Sequence, residues 1–127
     1  MKPLIAIDAD VLGRRRTGDE TYVAALLREL SAIAEEEHLV AVTRHPELVP
    51  DGIEAHELPA RRQAARMLFG LPRALRRLRP SLAHFLYVVP PAYRGPAVIT
   101  AFKSVGAALE DLAAAMLVWR SLKSVVK

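Results

Sequence analysis

Apolar residues along this chain keep two rhythms, and the two alternate. Residues 3–8, PLIAID, form a short unbroken apolar run that ends on an acid, as a buried parallel strand does where it reaches the edge of a sheet. From Glu20 to Glu36 the spacing changes: Val23, Leu26, Leu27, Leu30, Ile33 and Ala34 fall on one side of a helix. HLVAV at 38–42 predicts a second strand, closed by His45-Pro46, and IEAHELP at 53–59 a weaker third. RRQAARMLFGLPRALRRLRP at 61–80 again has helical spacing, through Ala64, Met67, Leu68, Leu71, Leu75 and Leu78. Gly70 and Pro72 interrupt it, which predicts two short helices or one with a break. SLAHFLYVV at 81–89 and AVITAF at 97–102 supply strands four and five. The tail, 104–127, is helical in pattern, with Val105, Leu109, Leu112, Met116 and Trp119 on one stripe. Leu117, Val118, Leu122 and Val125 lie elsewhere around it, so that helix needs cover on more than one side.

Strands alternating with helices through short connections predict an α/β domain: a parallel sheet covered on both faces. Right-handed crossovers make a doubly wound, Rossmann-like order of 3-2-1-4-5 the default. At 127 residues the chain reads as a single domain able to bury a core, without repeats or linkers. It is 52% hydrophobic but only 6% aromatic, so aliphatic side chains must do the packing.

Cysteine is absent, which excludes a disulfide framework, a thiolate metal site and a cysteine nucleophile, and fits a reducing cytoplasm. No apolar run approaches the roughly 20 residues of a membrane span, and the start of the chain has no signal-peptide pattern. A cytoplasmic chain is the expectation. The net charge of +4 favours anionic partners. Arg66, Arg73, Arg76, Arg77 and Arg79 gather in one segment, where the plain reading is a solvated helix face.

In a doubly wound fold ligands bind beyond the carboxyl ends of the strands, where the strand order reverses. That places a site between the loops after strands one and four, Gly13–Tyr22 and Tyr87–Pro91. The first of these, LGRRRTGDETYV, has Gly13 and Gly18 at the spacing of a phosphate-binding GxxxxGK[ST] loop. Asp19 and Glu20 stand where that loop needs its lysine and hydroxyl, and two acids at a helix start repel a nucleotide. An ATPase or GTPase is excluded on that ground. The dinucleotide pattern GxGxxG is absent too. Thr17 and Glu20 instead match a capping box, and Gly18 suits a tight turn. Arg14, Arg15 and Arg16 fall outside that explanation: three adjacent guanidiniums either stay solvated or face an anion.

Taken together, IAIDADVLGRRRTGDETYVAALLREL and SLAHFLYVVPP resemble the N-terminal domain of group 1 glycosyltransferases (family 4, GT-B fold). That family typically begins with IGIDAR, a loop ending RTG and E-x-Y in the first helix, and commonly has VHFQYYVPP in its fourth strand. The likeness spans about residues 3–100. It implies the acceptor-side half of a two-domain enzyme, with most of the sugar nucleotide held by a second domain. By position, Gly13, Thr17 and Gly18 would face the diphosphate. Arg14, Arg15, Arg16 and Tyr22 would border the acceptor cleft, and His84 and Tyr87 would meet it from the end of strand four. No cofactor is implied, only a nucleotide-diphosphate-sugar ligand.

Several residues depart from the family pattern. Where strand five of the family ends VVTIHD, this chain has VITAFK, so Phe102 and Lys103 replace a histidine and an aspartate. Phenylalanine cannot polarise a hydroxyl as imidazole does. Asp10 stands where the family has arginine. Beyond Thr100 the likeness ends, and residues 101–127 read as a divergent helix.

No second domain follows in these 127 residues, and half a site cannot orient two substrates, an effect worth roughly 7–11 kcal/mol. The expectation is therefore a glycosyltransferase-like half without catalytic residues of its own, paired through its last helix with a second half or another copy. The alternative is a non-catalytic Rossmann-like module that homodimerises. An arginine-rich helix also allows peripheral contact with an acidic membrane. Nucleic acid fits less well, for lack of stacking aromatics. His38, His45, His56 and His84 have no metal-ligand spacing.

Overall fold

The computed structural model describes residues 2–15, 17–59, 62–100 and 116–120, with the side chain of Thr17 left aside. Five strands, β1 (Leu4–Asp8), β2 (His38–Thr43), β3 (Glu54–Glu57), β4 (Leu82–Leu86) and β5 (Ala97–Thr100), form one sheet in the order 3-2-1-4-5. All four pairings are parallel. The fold is Rossmann-like α/β, and β1 and β4 flank the point where the order reverses. Phe102, Lys103 and the predicted tail helix, apart from 116–120, lie outside the described residues, and so does Arg16.

Helix α1 (Thr17–Ile33) packs on one face of the sheet. Val23, Leu26, Leu27 and Leu30 are buried there against Ile5, Ile7, Leu39, Ala41, Leu82 and Leu86. Each such side chain contributes roughly 1.5–3 kcal/mol on leaving water. The helix ends before its predicted Glu36: Ile33 is half exposed and belongs to no core, because the chain must turn back into β2. Met116, on the short helical stretch 116–120, closes the same layer, and Arg120 bonds the buried Glu37 at 2.9 Å.

The opposite face is covered by α2 (Gln63–Ala65), a π-turn over Arg66–Gly70 and α3 (Leu71–Leu78), which follow one another without a loop. The sequence predicts two short helices or one with a break here, and the chain has two short helices joined by a wide turn. Pro72 has no N–H for the carbonyl four residues back, and its ring crowds that position. Widening the turn relieves the conflict, and the Leu71 N–H reaches the Arg66 carbonyl. Leu71, Ala74 and Leu75 then pack on Ala6, Val42, Ala83 and Phe85. Residues 87–96, which join β4 to β5, continue this cover: Tyr93 meets Phe85 edge-on with ring centres 5.4 Å apart.

Strand parity decides which layer each polar residue enters. Asp8 continues the side of Leu4 and Ala6, and Arg44 continues the side of Val42; both point toward α2 and α3. His84 lies on the side of Leu82 and Leu86, toward α1. Strand β4 is shorter than predicted, because Tyr87 takes a left-handed backbone with φ of 70° that an extended run cannot continue.

Candidate functional site

At the carboxyl edge of β1 two aspartates lie almost out of solvent, Asp8 at the strand end and Asp10 two residues on. Asp10 is 1% exposed, and only a full set of partners makes that tolerable. Arg44 grips it with two parallel bonds, Nε to Oδ1 and Nη2 to Oδ2, each 2.8 Å. Arg66 adds its Nε at 3.1 Å, and Arg14 donates Nη2 to Oδ2. Arg66 also spans to Asp8, with Nη1 at 3.1 and 3.0 Å from the two carboxylate oxygens. Gln63 accepts from Arg14 at 2.6 Å and from Arg66 at 3.3 Å, which ties the helix on the far face into the cluster.

The two acids respond differently. Burial pushes the Asp8 carboxyl above its ordinary value, and Arg66 offsets only part of that. Burial is the largest single influence on Asp10 as well, but Arg44, Arg66 and Arg14 together outweigh it and hold the group below its ordinary value.

An open cleft of about 460 Å³ lies over this cluster, lined by Asp8, Asp10, Arg14, Gln63, Arg66 and Tyr87 among others. The first turn of α1 and the loop after β4 meet across it: the Tyr87 hydroxyl donates to Asp19 Oδ1 at 2.8 Å. That bond raises the phenol above its ordinary value. On the far side of the loop after β1 Gly13 has φ of 82°. Its N–H donates to Glu20 Oε1 at 2.7 Å, so the carboxylate assigned to a capping box reaches back to close the loop.

The predicted site residues are distributed unevenly. Arg14 and Tyr87 line the cleft. Gly13 backs onto the His45 ring, and Gly18 faces open space at the helix start. Arg15 is exposed with φ of 55°. Tyr22 packs against the α1-side core, away from the proposed acceptor cleft. His84 is a correction as well. It is buried, its Nε2 pairs with Thr100 Oγ1 at 2.7 Å, and burial lowers its pKa to about 4, so a neutral ring sits inside the wrong layer to meet a ligand. Arg66 corrects the reading of a solvated arginine face: Arg73, Arg76, Arg77 and Arg79 are exposed, but Arg66 is buried.

Sequence reasoning missed Asp8, Gln63, Arg44 and Arg66 as a unit. Strand parity was the available signal, since Asp8 and Arg44 each extend an apolar register toward the same layer.

Family models, curated proteins and solved structures yield no match to this chain. Among the described residues no group of acids and histidines is arranged to hold a metal ion, and no helix is long and apolar enough to cross a membrane.

Proposed function

We propose that this chain is the acceptor-side, Rossmann-like half of a sugar-transferring enzyme of the GT-B type, and that the cleft over Asp8 and Asp10 is its ligand crevice. The observation that carries the reading is the contact between the start of α1, which follows β1, and the loop after β4, through Asp19 and Tyr87, at the switch point of the sheet. These are the two segments that resemble the glycosyltransferase family.

The chemistry of the lining supports a ligand rich in oxygen. Carboxylates that accept, guanidiniums and an amide that donate, and a half-exposed phenol stand within one opening. Arg14 is the group best placed to exchange partners. Asp10 keeps both bonds from Arg44 and one from Arg66 if Arg14 turns outward to a diphosphate oxygen.

Titration calorimetry with uridine or guanosine diphosphate tests this. Binding is expected in the wild type and is lost in Arg14→Ala. Gly18→Ala, where a Cβ meets nothing in the free protein, loses binding only if the ligand lies against that glycine. Absence of binding by either nucleotide, or binding unchanged in Arg14→Ala, refutes the reading.

A second reading, a non-catalytic module that pairs through its last helix with another copy, is favoured by Val118 and Leu117, exposed at 57% and 63%. A sedimentation mass that stays monomeric at all concentrations removes the self-pairing form of it.

A further inference from the structure

The helical segment that closes the cleft presents a different surface to the outside. Between Arg62 and Arg79 the sequence holds six arginines and no acid. Arg66 is consumed by the aspartates, and the other five, Arg62, Arg73, Arg76, Arg77 and Arg79, are exposed. Beside them stand two large apolar side chains that no core uses: Phe69 is 71% exposed and Leu68 52%. The inward side is already filled by Leu71, Ala74 and Leu75, so neither residue is needed for folding. Phe69, Arg73 and Arg77 recur at intervals of four and line one groove, so cation and apolar group share a face. Glu57 is the acid on that groove's lining.

We propose that this face docks on an anionic lipid bilayer. The charge is complementary to phosphodiester head groups, which guanidiniums hold with paired donors. Apolar side chains among the cations find their medium about 5–10 Å into the boundary between head groups and acyl chains, a depth typical of interfacial helices. A nucleic acid would satisfy the arginines but gives Leu68 no apolar surroundings. Docking here sets the helix between bilayer and sheet, with Gln63 and Arg66 turned inward to the cleft. The inference stands on exposed residues outside the cleft and does not depend on what the cleft binds.

Flotation of the full chain with vesicles is the test. Vesicles of phosphatidylcholine and phosphatidylglycerol at 70:30 are compared with phosphatidylcholine alone, in 100 mM salt. Binding is expected on the anionic vesicles only and weakens as salt rises. Each arginine near such a surface accounts for about a fivefold change in partitioning, so Arg73→Ala with Arg77→Ala lowers it about 25-fold. Phe69→Ser lowers it about tenfold or more. Arg14→Ala, in the cleft, leaves it unchanged, and a native circular dichroism spectrum with a cooperative urea transition shows that each variant folds. Equal binding to both vesicle types, no binding at 50 mM salt, or wild-type partitioning by the arginine or Phe69 variants overturns the proposal. So does duplex DNA binding that displaces vesicles and ignores Phe69→Ser.

Discussion

Replacing Arg66 by methionine fills a similar volume but removes a cation that bonds both buried aspartates. Asp10 keeps Arg44 and Arg14. Asp8 loses the guanidinium that spans both of its oxygens, with 8% of its side chain exposed. Breaking a buried pair from one side costs about 3–5 kcal/mol, a large part of the roughly 5–15 kcal/mol that holds a domain of this size together. Urea denaturation followed by circular dichroism reads that loss directly, and it corresponds to a fall in Tm of about 10–20 °C.

The pH dependence carries a sign of its own. Asp8 already has a folded pKa above its ordinary 3.8, so the fold binds more protons than the unfolded chain there, and stability falls as pH rises from 3.8 through the raised value. Without Arg66 that value climbs further, and the Arg66→Met penalty shrinks on acidification toward pH 4. Asp8→Asn removes the stranded charge, so the double variant Asp8→Asn/Arg66→Met is more stable than the sum of the singles by about 2 kcal/mol or more. A loss below about 1 kcal/mol for Arg66→Met, or strict additivity in the double variant, refutes the account of the cluster.

Two other perturbations test the frame around the site. His84, nearly unexposed with a folded pKa of about 4 against an ordinary 6.5, binds no proton in the fold over a range where the unfolded chain does. Stability attributable to it is complete above pH 6.5 and falls by about 3 kcal/mol between pH 6.5 and 4. His84→Leu flattens that part of the stability–pH curve, and a variant curve parallel to wild type contradicts the burial argument. At Gly13 an added Cβ would lie 2.8 Å from His45 Cδ2 and sit at positive φ. Gly13→Ala is expected to cost about 1–2 kcal/mol from backbone strain alone. It also displaces the His45 ring from Glu47, and an unchanged urea midpoint refutes this.

The chain's periodicity, with the handedness of crossovers, determined the element order and the strand order. A 2.0 or 3.6 repeat of apolar residues is a local property, and crossover handedness leaves few ways to assemble the pieces. The same rules place a crevice between the carboxyl ends of β1 and β4. What those rules do not carry is contact between residues far apart in sequence. Arg66 and Asp8 are separated by 58 positions, and in sequence Arg66 differs in nothing from the exposed arginines that follow it. Only the π-turn that Pro72 imposes, the register of β1 beside β2 and the burial of both aspartates select that arginine and Arg44 as partners. His84 fell the other way, because one step of strand parity put a plausible ligand residue inside the opposite core. Tertiary structure decided these points because a buried charge takes its meaning from what surrounds it, and neighbours in space are fixed only when the whole sheet has closed.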